Sequence, residues 1–536
     1  MNSIFCNSKN IMRFILKQDR IWLTAWIIGV LIMNIAFVPA FVGIAPTQAD
    51  LNMYYETMKN PAMIVMMGPL YAKSYTYGVM YIQMMLSFTI ALQAIMNLFF
   101  VTRHCRNDEE DGRIEVLSSL PIGRESILSS TIVIMVAFNL LIGMVTGFGV
   151  AACGVPSMDL KGSLLFGLIQ GATGLFFGGI ATVTSQICMT ARGANALGMG
   201  ALGIAYMFRA IGDIKYDILN WFTPFGIAFK TKPYVTDDYA QVLIIVAASV
   251  VLLAISIYLN SKRDLYDGFL PQRKGRTHAG LWLRGAGTLS FRLVRNQIIT
   301  WGLVIFILGL SYGSIFGDFE KFMSDNAIIG QLIGEAKGAP ANEALYSFIS
   351  YLALVMGLIT TVPIINIIHK IQVEEHKQRI DQLYAKSVSK DTHFLSYVVI
   401  AFGASILFQF LCAFGEWTAS ASVMKDPIHL AIFVKTALIS LPAIWIFLGL
   451  EVLLIGLLPK LSSLIWLAFA ASFLLVYLGK LLKLPTWTEK LTPFSHVPDY
   501  PVGQIHFEPL VVMSVIFLVV TVIGIVAYRA RDVRNS

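Results

Sequence analysis

Long apolar stretches of about 20 residues recur along the whole sequence. A stretch of this length, coiled as an α-helix, crosses the roughly 30 Å hydrocarbon core of a bilayer. The alternation with period two that is typical of barrel strands is absent. The pattern therefore predicts an all-α integral membrane protein with twelve spans, near residues 21–44, 76–101, 127–154, 163–187, 195–213, 241–260, 297–317, 345–369, 393–415, 428–457, 461–480 and 507–528.

The composition supports this interpretation, because 56% of the 536 residues are hydrophobic and only 13% are charged. These values exclude a cytosolic enzyme, a secreted enzyme or a nucleic-acid-binding protein as an interpretation of the whole chain, despite a net charge of +8. No catalytic or metal site is predicted. The first twenty residues mix Lys9, Arg13, Lys17 and Arg20 with apolar side chains, which predicts an amphipathic helix on the inner membrane surface.

The distribution of basic residues predicts the orientation of the spans. Arginines are concentrated in the loops that lie inside if the N-terminus is inside, whereas the outer loops contain scattered lysines and no arginine. Basic residues are enriched in cytoplasmic loops. We therefore expect both termini in the cytoplasm.

The two halves of the sequence resemble each other at a nearly constant shift of 266 to 269 residues. The matches are Thr223-Pro224-Phe225 with Thr492-Pro493-Phe494, Arg263-Asp264 with Arg531-Asp532, and the loop Glu109 to Arg124 with Glu375 to Lys390. Six spans in each half imply a parallel repeat, with a translocation pathway expected where the halves face each other. The predicted division is a first half at 1–260, a basic linker at 261–296 and a second half at 297–536.

The inner loop after the second span has the strongest functional pattern. An acidic cluster at 108–111 favours a helix N-terminus, and Ile114, Leu117 and Leu120 recur at helical spacing before Pro121. These features predict a short amphipathic helix below the membrane, with Arg113 close enough to Glu110 and Glu115 for local pairing. A solvated loop on the lipid headgroups is the alternative interpretation.

The duplicate loop keeps an arginine, an isoleucine, an acid and a leucine at the matching positions. It replaces Gly112 by Gln378 and gains Lys377, Lys386 and Lys390. The loops are therefore expected to be unequal.

The chain resembles the ABC-2 class of permeases, and within it the double-length exporters of polyketide antibiotics such as tetronasin. The motifs that carry the resemblance are DEEDGRIEVLSSLPIGR after span two, NPAMIVMMGP at 60–69, RDLYDGFLP at 263–271, LSYGSIFGD at 310–318 and TPFSHVPDYP at 492–501.

The resemblance implies that the loop after the second span of each half is a coupling helix, which docks in a groove of a separate ATPase subunit. It implies export of hydrophobic or amphiphilic compounds across a bacterial plasma membrane. The residues expected to couple are Glu109, Glu110, Gly112, Arg113, Glu115 and Leu117, with Glu375, Arg379, Asp381 and Leu383 in the second half.

The sequence itself indicates that any ATPase is a separate chain, because no G-x-x-x-x-G-K-[ST] phosphate loop is present. The chain is therefore expected not to be an enzyme and to hold no cofactor. ATP and Mg²⁺ would bind a partner ATPase, which is expected to be a homodimer. The other expected partners are membrane lipid and a hydrophobic small-molecule substrate.

The alternative function is a proton-coupled secondary transporter of the major facilitator type, which also has two parallel six-span halves. Proton coupling needs ionisable groups near the bilayer midplane, and Glu451 is the acid that falls clearly inside a predicted span. The sequence therefore favours the ATP-driven exporter.

A few residues inside the spans are candidates for the substrate pathway or for packing. Arg209, Lys435 and Glu451 are possible pathway charges, although each is close enough to an interface to extend its charged group toward water. Gly167, Gly171, Gly174 and Gly178 share one face of the fourth span and predict a close helix contact. The outer segment 51–75 predicts an interfacial or re-entrant cap, with a possible counterpart at 319–344.

Overall fold

A computed structural model describes residues 6–59, 61–264, 266–270, 277–280, 283, 285–318, 341–386, 388–424, 426–478, 487 and 490–531. The chain divides into two compact units, Met1–Gly275 and Arg276–Ser536. Twelve helices in the described residues are long and apolar enough to cross a membrane. The protein is an all-α, multi-pass membrane protein, as the apolar pattern predicts.

Each unit contains six of these spans. In the first unit they are Ser8–Ile44, Tyr77–Thr102, Ser126–Ala152, Leu160–Ile187, Ala191–Ile214 and Ala240–Lys262. In the second unit they are Ala286–Gly313, Ala341–His376, Lys390–Val423, a tenth span in two pieces (Leu430–Ile439 and Leu441–Leu457), Leu464–Leu478 and Phe507–Ala530.

Short polar side chains fix where several spans begin. Thr76, Asp159, Thr190 and Ser389 each accept a hydrogen bond from the backbone N–H three residues later, at the starts of spans two, four, five and nine. These contacts satisfy backbone donors that have no partner inside the helix. The spans therefore begin at side chains that cap them.

Four of the predicted boundaries are wrong, among them the end of span eight, which runs to His376 and not to 369. The expected surface helix at the N-terminus is continuous with span one from Ser8. Residues 286–296 of the expected linker form the start of span seven. Span nine extends to Val423, beyond its predicted end at 415, because Gly313 and Gly317 let the added turns pack closely against the end of span seven.

The glycine face of span four packs against span three. A Cβ atom on Gly167 would lie 2.0 Å from the carbonyl oxygen of Gly143, and one on Gly171 would lie 2.8 Å from that of Asn139. At Gly178 the nearest atom would be Met135 Sδ, at 2.1 Å. Glycine allows two backbones to approach to this distance, so the four positions form a seam between the two helices.

A cluster of buried amides lies beside this seam. Asn139 donates to Asn97 Oδ1 at 2.7 Å, and its own Oδ1 accepts from Gln93 at 2.7 Å and from Asn97 at 3.1 Å. A Cβ on Gly174 would lie 2.1 Å from the same oxygen. Gly174 therefore leaves room for a polar contact that links spans two and three.

The second unit has close glycine contacts of its own, between other pairs of spans. A Cβ atom on Gly309 of span seven would lie 2.5 Å from the Cys412 carbonyl oxygen, and one on Gly415 of span nine would lie 2.6 Å from the Phe306 carbonyl oxygen. Gly456 and Gly524 bring spans ten and twelve together in the same way. Gly309, Gly313 and Gly317 recur every fourth residue at the end of span seven and face span nine, so the sequence does contain a signal for the first of these contacts.

The outer segment between spans one and two forms two short helices, Gln48–Met58 and Pro61–Met66. Polar side chains of spans two and five bind the carbonyls at the end of the second helix: Gln83 binds Gly68, Ser87 binds Met67, Tyr206 binds Met66, and Arg209 binds Val65. This segment is therefore fixed to the first unit. Most of its suggested counterpart, residues 319–340, lies outside the described residues.

Candidate functional site

The loop after span two continues the helix and then turns sharply. A π-helical turn at Arg103–Asn107 and one helical turn at Asp108–Glu110 extend span two. Gly112 has a φ of +75°, and a new helix then runs over Arg113–Ser118. The acidic cluster was expected at the start of the short helix, but three of its members end span two instead. Basic side chains bind Asp108 and Glu109 there, and the Ala191 N–H binds Glu110.

The central contact of this loop is a buried ion pair. The Glu109 carboxylate, 1% exposed, accepts two hydrogen bonds from Arg263, at 3.0 and 2.9 Å, and one from Arg106 at 3.0 Å. Arg263 follows directly after span six. Arg106 also donates to the Met189 carbonyl at 2.7 Å, between spans four and five. Two arginines are thus gathered on one carboxylate beside three span ends.

The loop after span eight has the same construction. Gln378 has a φ of +52°, and a short helix follows at Ile380–Tyr384. The Glu375 carboxylate accepts two hydrogen bonds from Arg531, both at 2.7 Å. Arg531 follows directly after span twelve.

Further contacts recur in both loops. Their loop residues align at the 266-residue shift, whereas the Met189 and Arg263 carbonyls correspond to those of Pro459 and Arg531, at shifts of 270 and 268. In the first loop, Asp108 contacts His104 (3.2 Å) and Arg113 (2.8 Å), as Glu374 contacts Lys370 (2.8 Å) and Arg379 (3.5 Å) in the second. Arg106 donates to the Met189 carbonyl (2.7 Å) in the first loop, as Gln372 donates to the Pro459 carbonyl (2.5 Å) in the second. Arg124 donates to the Arg263 carbonyl (2.7 Å), as Lys390 donates to the Arg531 carbonyl (2.8 Å). Side-chain chemistry has changed at many of these positions while the contact has remained.

The outward side of each short helix presents an arginine. The side chains of Arg113 and Arg379 are 54% and 57% exposed. Val116 adds an exposed apolar side chain beside Arg113. The inward side carries Ile114 and Ile380, both buried. This arrangement is suited to contact with another protein.

The remaining predicted coupling residues take different positions. Leu117 and Leu383 are half-buried, whereas Glu110, Glu115 and Asp381 are exposed. Glu110 accepts a hydrogen bond from the Ala191 N–H at the start of span five. The expected pairing of Arg113 with Glu110 and Glu115 is wrong, because Asp108 and Asp111 lie nearer to the guanidinium.

Each loop also has contacts of its own that the sequence did not reveal. In the first unit, the buried Asp19 of span one binds His104 at 2.7 Å and Arg103 at 3.1 Å. In the second, the Tyr384 hydroxyl lies 3.1 Å from that of Tyr528 in span twelve, and burial raises the pKa of Tyr384. No short-range pattern connects residues so far apart in sequence.

The candidate pathway charges occupy three different environments. Arg209 is fully buried, pairs with Asp213 at 3.5 Å and lies over the Tyr206 ring, so it does not extend toward water. Glu451 is also buried and binds His369 at 3.0 Å. Lys435 is exposed on the first piece of span ten. The structure does not bring these three side chains together in one site within either unit.

A further intramembrane carboxyl lies in span nine, where the predicted boundary excluded it. Glu416 is 4% exposed, and the described residues provide a hydrogen bond from the Cys412 thiol at 3.5 Å. Among those residues, no group of three His, Cys, Asp or Glu side chains is placed to hold a metal ion.

The left-handed turn gives a test of the equivalence of the loops. Gln378→Gly is expected to stabilise the protein by about 1 kcal/mol, because a residue with a Cβ atom is strained at this φ. Gly112→Gln is the matched reverse change. A Cβ there would meet no atom within 4 Å, so backbone strain alone should destabilise the protein by a similar amount. Thermal unfolding of both variants in detergent measures the effect, and equal stabilities would contradict the shared turn.

Comparisons with known proteins agree with this architecture. The family model described as "Multidrug efflux system permease Rv1217c, C-terminal domain" matches residues 10–259 and 283–529. These two stretches contain nearly all of the six spans of each unit. The chain is also 27% identical over 537 residues to the multidrug efflux system permease protein Rv1217c of Mycobacterium tuberculosis (strain ATCC 25618 / H37Rv), across 99% of this chain and 96% of that protein. The chain therefore belongs to this family of multidrug efflux permeases.

Proposed function

We propose that the chain is the membrane-spanning permease subunit of an ATP-binding cassette exporter. It moves hydrophobic or amphiphilic compounds out of the cell, and antibiotics of the polyketide class are the first candidates. It lies in a bacterial plasma membrane with both termini in the cytoplasm. Family membership supports the efflux permease, and the motifs shared with tetronasin-type exporters support the cargo class.

The observation that carries the proposal is the pair of equivalent inner loops. Each extends a membrane helix, turns through a left-handed residue and ends in a short helix with an exposed arginine. Two similar docking elements on one chain match two copies of one partner. The partner is therefore an ATPase homodimer, which supplies the ATP and Mg²⁺ sites.

The experiment is co-purification with an ATP-binding cassette subunit encoded by a neighbouring gene. A complex of one permease to two ATPase chains is expected, with its mass measured in detergent or nanodiscs. A permease that purifies without any such partner, and that exports cargo in that form, would refute the proposal.

Proton-coupled transport of the major facilitator type is the alternative that the sequence left open, and membership of the efflux permease family does not favour it. The buried Glu416 adds a carboxyl to the Glu451 on which the sequence argument rested. Glu451 has a histidine partner, whereas Glu416 has a thiol partner among the described residues. The number of carboxyls in the spans therefore does not distinguish ATP-driven export from proton-coupled transport.

An uncoupler separates them directly. We expect the Glu416→Gln and Glu451→Gln variants to retain export within about threefold in vesicles loaded with ATP, because the energy comes from hydrolysis; a threefold change corresponds to less than 1.4 kcal/mol. Collapse of the proton gradient at constant ATP should leave the wild-type rate unchanged. Export that stops with the uncoupler would favour the proton-coupled mechanism.

A further inference from the structure

The ion pair at the base of each loop differs from the other repeated contacts. The acid and the arginine are identical in the two halves, Glu109 with Arg263 and Glu375 with Arg531. The other contacts have changed at one or more positions: His104 to Lys370, Arg106 to Gln372, Asp108 to Glu374, and Arg124 to Lys390. The Glu–Arg pair has thus kept both residue types, a carboxylate and a guanidinium, where the other contacts have not.

The pair connects two particular elements. The glutamate lies where the second or eighth span runs into the loop, three residues before the left-handed turn. The arginine is the first residue after the sixth or twelfth span. Both glutamates are buried, and each accepts two hydrogen bonds from its arginine. Arg263 donates from two nitrogens, one to each Glu109 oxygen, which fixes orientation as well as distance, whereas Arg531 donates to both Glu375 oxygens from Nη2 alone.

We propose that this ion pair transmits movement of the short inner helix to the last span of its half. The proposal rests on the function proposed above, in which an ATPase moves that helix. Glu109, Arg263, Glu375 and Arg531 are then positioning residues that act through the helices they join.

Apolar packing is a poor alternative route in the first unit. A cavity of about 360 Å³ lies behind the short helix, lined by Ile114 and Leu117 on one side and by Asn260 and Arg263 of the sixth-span end on the other. Across this space the loop reaches the end of span six through polar contacts, the Glu109–Arg263 ion pair and the bond from Arg124 to the Arg263 carbonyl.

In the second unit the arginine also joins a third span. Arg531 donates to the Ile455 carbonyl of span ten at 2.8 Å, and its own carbonyl accepts from Lys390 at the start of span nine. Tyr384 adds a parallel contact to Tyr528. Spans ten and twelve are thus held to one guanidinium, and loss of the pair should be partly compensated by the tyrosines.

The second unit is the better place for a test, because the first has a third charge, Arg106, on the same carboxylate. The variants are Glu375→Gln, Arg531→Gln and the charge swap Glu375→Arg with Arg531→Glu. Arg529→Gln is the matched control, because Arg529 is also an arginine at the end of span twelve. Its ion pair with Asp391, at 3.6 Å, is largely exposed.

Three quantities are measured on the permease–ATPase complex: ATPase bound per permease, basal ATP hydrolysis, and cargo exported per ATP hydrolysed. Glu375 was expected from the family resemblance to couple, but its side chain is buried and does not lie on the exposed surface of the loop. The neutralised variants should therefore bind ATPase and hydrolyse ATP within about twofold of wild type, whereas cargo per ATP falls about tenfold. The charge swap should recover at least a third of wild-type export per ATP. The Arg529 control should be unchanged.

Wild-type export per ATP in both neutralised variants would overturn the proposal. So would a charge swap that folds and binds ATPase but recovers nothing, or equal losses of binding, hydrolysis and export, which indicate a purely structural role. A wild-type chain that binds no ATPase would instead refute the proposed function, and this proposal with it.

Discussion

Arg113→Glu is expected to abolish docking of the ATPase or hydrolysis coupled to export. The Arg113 side chain is 54% exposed on the short helix of the first loop, so it is available to an acidic groove. Reversal removes the favourable contact and adds a like-charge contact, which costs several kcal/mol at an interface. This corresponds to a loss of affinity of about a hundredfold or more. The change also places a third acid beside Asp108 and Asp111.

Arg379→Glu should have a smaller effect. The nearby lysines 377, 386 and 390 keep the second loop basic, and the contact of Tyr384 with Tyr528 holds its short helix to span twelve. Arg20→Glu is the control for a general change of charge, because Arg20 is an exposed arginine of span one outside the two loops. ATPase pull-down and substrate-stimulated hydrolysis, corrected for expression, measure all three. Full activity of both loop variants would show that the loops are solvated surface.

Gly167→Ala is expected to cause a large loss of folded protein. The new Cβ would lie 2.0 Å from the Gly143 carbonyl oxygen and 2.9 Å from the Gly147 nitrogen. Both are backbone atoms, so spans three and four must separate, and overpacking of this kind costs about 3 kcal/mol. Separation also disturbs the amide cluster around Asn139.

Gly203→Ala in span five is the matched control, because its Cβ would meet no atom within 4 Å. There, alanine should be neutral or slightly stabilising. Thermal unfolding and the yield of monodisperse protein distinguish the two variants. A Gly167→Ala protein as stable as wild type would show that the seam is not closely packed in the membrane.

Much of the fold follows from sequence because the bilayer imposes simple rules. A helix must be long and apolar to cross it, and twelve such stretches are recognisable without tertiary information. The spacing of the span-four glycines likewise lies within one helix. The sequence shows the repeat of Arg263 as Arg531 and of Glu109 as Glu375, at nearly the same shift. It does not show that each arginine pairs with the glutamate of its own half.

Some features that the sequence analysis missed depend on contacts between distant residues, such as the bonds from Arg263 to Glu109 and from Arg209 to the Val65 carbonyl. Other missed contacts are local. His104 with Asp108, Arg106 with Glu109 and Arg209 with Asp213 are three or four residues apart, so helical spacing contained a signal for these pairs.

ATP-driven export by the reconstituted complex tests the central claim most directly. The purified permease alone, in lipid, should neither bind nor hydrolyse ATP. With the ATPase added, cargo should accumulate in inside-out vesicles only when ATP and Mg²⁺ are present, and without a proton gradient. ATP hydrolysis by the isolated permease, or accumulation driven by a pH gradient without the ATPase, would contradict the account.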